Sequence, residues 1–124
     1  MLNCLAVGAG GFAGAVLRYL ISLIPLKTEF PLKTLVINLI GCFAIGIIAG
    51  LAQNRFADNA RLVLFLKVGI CGGFTTFSSF ALETDELLHS GRYAAAGLYA
   101  AASVFFGIAA AFLGQMAVRS IAGK

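Results

Sequence analysis

Charged residues are scarce in this sequence. Only 11% of its 124 residues are Asp, Glu, Lys or Arg, whereas about a quarter are charged in a typical soluble domain. Hydrophobic residues make up 60% of the chain, and the mean hydropathy is +0.98. A soluble fold of this length cannot hide so much apolar surface, so the composition indicates an integral membrane protein.

Several kinds of functional site are also absent. The one histidine, His89, lies in a polar turn, and the chain has no Ser-His-Asp set, HExxH motif or phosphate-binding loop. The three cysteines form no CxxC or Cys/His pattern and are typical of small buried hydrophobes: Cys4, Cys42 and Cys71. No cluster of basic residues suits nucleic acid. We therefore predict neither an enzyme nor a nucleic-acid-binding protein.

The net charge of the chain is +4. A basic membrane protein is attracted to anionic lipid headgroups, and a basic vestibule concentrates anions. Charge alone leaves both interpretations open.

Four long apolar segments fill most of the chain, each with about the 20 residues that a span requires. They cover approximately residues 2–24, 32–52, 60–88 and 93–118. The first segment has no basic residue before Arg18, so we expect a retained helix rather than a cleaved signal peptide. The pattern predicts an all-α integral membrane protein with four transmembrane helices in a single membrane domain over residues 1–124.

The third apolar segment is interrupted. Residues 69–80 read Gly-Ile-Cys-Gly-Gly-Phe-Thr-Thr-Phe-Ser-Ser-Phe, with two adjacent glycines followed by four hydroxyl residues. In lipid, a broken helix is costly unless the freed carbonyls hold something, usually an ion. We predict a break at mid-membrane near residues 72–76 and expect the working part of the protein there.

Small residues recur at helical spacing in the first two segments. Gly8, Gly11 and Gly14 are three residues apart, Gly10 and Gly14 are four apart, and so are Gly46 and Gly50. Such faces let helix backbones approach closely. Four thin helices enclose little space, so these faces also favour an oligomer.

Basic residues show almost no bias between the two ends of the spans. On the side of the N-terminus lie Arg55, Arg61, Lys67, Arg119 and Lys124. On the other side lie Lys27, Lys33 and Arg92, together with Arg18 if its head group extends that way. Because orientation follows the Lys/Arg difference, the chain is expected to insert both ways and to pair as an antiparallel dimer. A parallel dimer is the alternative.

Polar groups inside apolar spans are candidates for function. Arg18 either extends its head group to the interface or lines the entrance for an anion. Asn38 either bonds a neighbouring helix or donates its N–H groups to an anion. The residues themselves leave both choices open.

Further polar residues lie one helical turn apart, on common faces. Thr34 precedes the asparagine of the second segment by one turn. Glu83 follows Ser79 at the same spacing, and Ser103 follows Tyr99. Together they predict a polar track through the apolar helices.

Three phenylalanines, Phe74, Phe77 and Phe80, recur every three residues beside this track. Such a stripe usually faces lipid or packs between helices. Aromatic rings also have a positive edge that can meet a small anion.

Three stretches are similar to motifs of one family. They are residues 8–19 (Gly-Ala-Gly-Gly-Phe-Ala-Gly-Ala-Val-Leu-Arg-Tyr), residues 34–41 (Thr-Leu-Val-Ile-Asn-Leu-Ile-Gly) and the twelve residues 69–80. Through them the chain resembles the Fluc/CrcB fluoride channels over essentially its full length.

The resemblance implies a fold and a function. The expected assembly is an antiparallel, dual-topology homodimer with two pores. The expected activity is passive export of cytoplasmic fluoride across the bacterial plasma (inner) membrane, which protects the cell from fluoride toxicity. Fluoride, membrane lipid, a structural Na⁺ at the dimer interface and a second copy of the chain are the partners it implies.

The resemblance also implies roles for individual residues. Phe77 and Phe80 would be the pore phenylalanines, one from each subunit facing each pore. Asn38 would be a polar ligand from the second helix, and Thr34 would be a vestibule hydroxyl. Arg18 matches the family's first-helix arginine.

Other residues would hold the cation or extend the track. Gly72 and Thr75 would offer main-chain carbonyls to Na⁺. Three residues would belong to the polar track: Glu83, Tyr99 and Ser103. Gly107 stands where some relatives have a serine, so Thr76, Ser79 or water would complete the lower track.

Two other functions fit less well. A small dual-topology, proton-coupled multidrug-type transporter would need a carboxylate in its first helix, where this chain has Arg18 and no acid, and aromatic residues for a cationic drug, yet Trp is absent. A structural packing subunit or a small lipid-modifying enzyme would not explain the interrupted third segment.

Overall fold

The computed structural model describes residues 1–54, 56 and 58–122. These residues form helices joined by short turns, and no β-strand occurs among them. The elements are α1 (Leu2–Ser22), α2 (Leu32–Asn54), α3 (Ala60–Val63), a π-helix (Leu64–Cys71), α4 (Gly72–Phe74), α5 (Phe77–His89) and α6 (Tyr93–Ala122). Of the predicted basic residues, Arg55 and Lys124 lie outside the described part of the chain.

Four helical stretches are long and apolar enough to cross a membrane. They are Leu2–Ser22, Leu32–Gln53, Ala60–His89 and Tyr93–Ile121. The prediction of an all-α protein with four membrane-spanning helices is therefore confirmed, and the chain is a multi-pass membrane protein. Its pairing with a second copy stays a prediction.

The first helix packs closely against the first half of the third span. A Cβ added at Gly10 would collide with the main chain of Phe65 and Gly69, and one at Gly14 would collide with the carbonyl of Ile70. Close backbone approach explains why these positions have no side chain. A Cβ at Gly8 would meet nothing within 4 Å, so the pair spaced by four is the face that makes this contact.

The second and fourth spans form another closely packed pair. A Cβ at Gly46 would collide with the carbonyl of Ala111, and one at Gly114 would collide with the carbonyl of Phe43. Gly50 lies against the side chain of Val118. The four spans are thus two glycine-packed pairs, and α5 leaves the first pair to pack against α6 and α2.

The third span is broken at Thr75 and Thr76. Thr75 has φ −80° and ψ 156°, and Thr76 has φ −147° and ψ 114°, so both residues are extended. Gly72 and Gly73, whose adjacency suggested the interruption, are still helical. Threonine favours such a break because its hydroxyl can replace a backbone hydrogen-bond partner. Thr76 Oγ1 accepts from Ser79 N at 3.1 Å and caps α5.

A small core lies where α5, α6 and the first loop meet. Tyr99 is fully buried there, packed with Leu87 and Ala96. The loop is joined to the turn after α5 by an ion pair of 3.4 Å between Arg92 and Glu29. Most large apolar side chains on the outer faces are exposed, as expected for surfaces that meet lipid.

Candidate functional site

Asn38 holds the break in the third span from the second helix. Its Nδ2 donates to the carbonyl of Thr76 at 3.0 Å, and its Oδ1 accepts from the Thr76 N–H at 2.8 Å. An extended residue inside a span has lost its helical partners, and one side-chain amide supplies both replacements. These contacts are of the kind expected if Asn38 bonds a neighbouring span. Its second N–H has no partner among the described residues, so a donor is left over.

Glu83 joins three helices through its two carboxylate oxygens. Thr34 Oγ1 donates to Oε1 at 2.6 Å, and the Tyr99 hydroxyl donates to Oε2 at 2.6 Å. Hydrogen bonds of this length to a carboxylate are typical of the strong, charge-assisted class. In the described part of the chain, no basic side chain forms an ion pair with Glu83. The carboxylate is therefore held by hydroxyls, without a counter-charge.

The hydroxyl residues after the break lie within hydrogen-bond distance of one another. Thr76 Oγ1 lies 3.0 Å from Ser79 Oγ and 3.3 Å from Ser78 Oγ. Thr76 is only 8% exposed. Its one hydroxyl hydrogen can serve one acceptor at a time, so this group can switch partners without moving the backbone.

A cavity of about 440 Å³ opens on one side of the break. Its polar lining residues are Arg18, Tyr19, Ser22, Lys33, Thr34, Thr76, Ser79 and Glu83. Arg18 is half-buried, and Lys33 donates to the carbonyl of Ser22 at 2.8 Å. The two cations and one carboxylate give this cavity a positive balance. A further cavity of about 210 Å³, beneath the first loop, also reaches Glu83.

A largely apolar groove, of about 340 Å³, also borders the break. It is lined by Asn38, Gly41, Cys42, Ile45, Lys67, Cys71, Gly72, Thr75, Thr76, Phe77, Phe80, Ser103 and Val104. Thr76 lines both this groove and the Arg18 cavity. The two spaces therefore share one buried lining residue, which Asn38 holds in place.

Two of the three regularly spaced phenylalanines lie in the groove. The rings of Phe77 and Phe80 are 5.5 Å apart between centroids, and Phe80 is 5.1 Å from Tyr99. Phe77 is 79% exposed in the single chain. Phe74 comes before the break and is buried against Gly14 and Gly41, so the three rings do not form one stripe.

Ser103 contributes an unused hydroxyl to the groove. Its Oγ is buried and has no hydrogen-bond partner in the described part of the structure. Buried polar atoms are nearly always paired in proteins. The hydroxyl is therefore a hydrogen-bonding group that the described part of the chain leaves unused.

The break frees two main-chain carbonyls that were predicted to hold a cation. In a continuous helix, Gly72 C=O would accept from Thr76 N–H, and Thr75 C=O would accept from Ser79 N–H. Instead, the Thr76 N–H donates to Asn38 Oδ1, and the Ser79 N–H donates to Thr76 Oγ1. Among the described residues, no other backbone donor replaces them across the break.

The chemistry of these carbonyls fits a hard cation, which prefers oxygen ligands. Gly72 is exposed, and a Cβ added to it would meet nothing within 4 Å. One chain offers only a few such oxygens, so a complete cage needs more ligands. Among the described side chains, no group of three or more His, Cys, Asp or Glu residues is placed to hold a metal.

The structure brings together most of the residues singled out from the sequence. Asn38, Thr76, Phe77, Phe80 and Ser103 share the groove, and Arg18, Thr34, Ser79 and Glu83 share the cavity. Tyr99 lies behind Glu83.

Sequence reasoning missed Lys33 and Lys67 as lining residues and treated both only as charges at span ends. A basic residue within an apolar segment was the signal for Lys67.

Comparison with known proteins places the chain in a family. Residues 5–115 match the family model described as CrcB-like protein, Camphor Resistance (CrcB). Three similar proteins bear the name fluoride-specific ion channel FluC. The protein of Ruminiclostridium cellulolyticum is 43% identical over 98% of this chain and 96% of its own length. The protein of Chlorobium chlorochromatii is 44% identical over 98% and 95%, and that of Rhizobium etli is 41% identical over 98% and 99%.

Proposed function

The chain belongs to the CrcB family, and from that premise we propose that it is a fluoride channel. It lets cytoplasmic fluoride leave the cell by passive electrodiffusion and so protects the cell from fluoride. The relatives are named as ion channels, which are not enzymes. The observation that carries the proposal is the pair of hydrogen bonds between Asn38 and Thr76, because it holds the break of the third span between a polar cavity and a groove.

The proposed route passes from the Arg18 cavity to the groove by way of Thr76. The cavity has two cations and one carboxylate, so it attracts anions. Thr34 and Tyr99 donate to the two oxygens of the Glu83 carboxylate, which fixes the position of that charge in the cavity wall. The hydroxyls of Thr76 and Ser79 then offer donors in sequence.

Fluoride is small and strongly hydrated, so donors must replace its water. The groove supplies the second N–H of Asn38, the unpaired hydroxyl of Ser103 and the positive ring edges of Phe77 and Phe80. None of these groups is a cation that would trap the ion. Conduction requires binding that is favourable enough for an ion to enter and weak enough for it to leave.

The proposed assembly is an antiparallel homodimer with dual topology and two pores. Phe77, 79% exposed in one chain, would be covered by the second copy, so that one of Phe77 and Phe80 from each subunit faces each pore. Gly72 and Thr75 of both chains would give four carbonyl oxygens to a central Na⁺. A cation held by neutral carbonyls raises the local potential for a passing anion. The location would be the bacterial plasma (inner) membrane.

Fluoride efflux from liposomes tests the proposal. Purified protein is reconstituted with internal potassium fluoride, valinomycin relieves the voltage, and an electrode follows fluoride release. A parallel preparation contains chloride, and protein-free liposomes provide the baseline. Fast fluoride release without chloride release is expected. No release from monodisperse protein would overturn the proposal, and exchange of cationic drugs for protons would then be measured.

A further inference from the structure

Lys67 is the cation of the groove. It lies in the π-helix (Leu64–Cys71), is exposed, and shares the groove with Asn38, Phe77 and Ser103. Of the described residues that line this groove, only Lys67 carries a charge. Neither ion pair formed by the described residues includes its ammonium.

A lysine in an apolar span is costly unless its head group reaches water or an anion. The surrounding π-helix is otherwise apolar or glycine, apart from Cys71. None of the described residues that line the groove is a carboxylate that could pair with the ammonium. The structural alternative is a lysine retained for an internal ion pair. Lys67 has no such partner in the described part of the chain.

Lys67 and Arg18 stand on opposite sides of the break. Lys67 precedes Thr75 by eight residues, which is roughly 12 Å along a helix. Arg18 lines the other cavity, beside residues of the half-span that follows the break. Thr76 lines both spaces, so each of the two cations lies in a space that borders this one buried residue.

We propose that Lys67 is the anion-collecting residue at the mouth of the groove, where its ammonium raises the local concentration of small monovalent anions. This inference rests on the proposed fluoride channel and adds a residue that determines its flux. Lysine suits the task because its ammonium is a compact, strongly hydrated charge on a flexible stem. It attracts an anion without the paired, planar hydrogen bonds that would hold one tightly.

The test compares fluoride efflux at two ionic strengths. Lys67→Met keeps an unbranched side chain and removes the charge, and Lys67→Gln is a second neutral variant should the first yield no protein. Vesicles of phosphatidylcholine have no net lipid charge, and an impermeant potassium salt sets the ionic strength at about 10 mM or about 300 mM. Screening is weak at the lower value and strong at the higher one.

Loss of one attracting charge is expected to lower efflux about fivefold at low ionic strength. At high ionic strength the difference should fall below about twofold. Lys67→Arg should retain the wild-type rate at both. Arg61→Gln is the matched control, because Arg61 is exposed in α3 near the same end but does not line the groove.

Three outcomes would overturn this inference while the channel stands. They are an unchanged rate in the neutral variants, an equal loss at both ionic strengths, and an equal loss in Arg61→Gln. The last would indicate general surface charge. Absence of fluoride efflux from the wild-type protein would instead overturn the proposed function and this inference with it.

Discussion

Asn38 and Thr76, which are 38 residues apart in sequence, form two hydrogen bonds of 2.8 Å and 3.0 Å. The side-chain amide of one residue replaces both helical partners of the other's backbone. This contact allows an extended segment to persist within a span, where unpaired backbone groups are costly. The second N–H of Asn38 is the proposed donor of the groove, so its position depends on the geometry of the break.

Asn38→Asp should block fluoride flux. The change removes the N–H₂ group that donates to Thr76 and offers a donor to the groove, and it adds a negative charge in the proposed path. Because the lost donor and the added negative charge both disfavour an anion in the groove, efflux should fall by about tenfold or more. The measurement is liposome efflux at matched protein content. Asn3→Asp, an identical change at an exposed position of α1, should keep the wild-type rate, and unchanged efflux in Asn38→Asp would leave Asn38 a purely structural residue.

Phe77→Ile and Phe80→Ile should each abolish fluoride flux. Isoleucine keeps the apolar character but has no ring edge to face an anion. The oligomeric state in detergent should not change. Phe112→Ile, on the exposed face of α6, is the control and should conduct. Normal efflux in either groove variant would contradict the assignment of that ring to the pore.

Gly72→Val should weaken the dimer or its Na⁺ binding while one chain still folds. A Cβ at this position meets nothing within 4 Å in the single chain, so any clash must come from a partner. The measurements are subunit cross-linking and thermal stability with Na⁺ or with a large organic cation in its place.

Gly97→Val is the matched control for that test, since a Cβ there also meets nothing within 4 Å. It introduces the same β-branched residue into a helix. If Gly72→Val kept both dimerisation and the Na⁺ effect, the proposed cation site would lie elsewhere.

Tyr99→Phe should destabilise the protein by about 1 kcal/mol, because it removes the donor to one half-buried carboxylate oxygen of Glu83. The ring, which packs on Phe80 and Phe30, is retained. Unfolding by detergent denaturant gives the free energy. Tyr93→Phe removes the same hydroxyl at an exposed site and should be neutral; equal effects in both variants would argue against a strong bond to Glu83.

The four spans and the presence of a break in the third follow from local sequence properties. Apolar length predicts the four helices, and hydroxyl residues after a glycine pair indicate where backbone bonds fail. The glycines themselves stay helical, and the break falls on Thr75 and Thr76. Local pattern could not decide this, because the deciding partner, Asn38, comes from another helix.

The contacts of Glu83 could not be predicted from spacing. Helical spacing grouped Glu83 with Ser79, and Tyr99 with Ser103. The structure instead joins Glu83 to Thr34, 49 residues away, and to Tyr99, 16 residues away. Such contacts depend on how whole helices rotate against each other, which the glycine faces determine through packing. The place of Lys67 in the groove was missed for a similar reason, because the direction of its side chain depends on the π-helix.

The oxygens freed at Gly72 and Thr75 belong to the main chain. Replacing either amino acid leaves the oxygen itself in the molecule, so a search for ligating side chains would pass over it. Substitution of Asn38 or Thr76, whose side chains accept the N–H groups that would otherwise bond these carbonyls, is an indirect way to alter them. Two polar side chains thereby act on the proposed cation site, at which neither is a ligand.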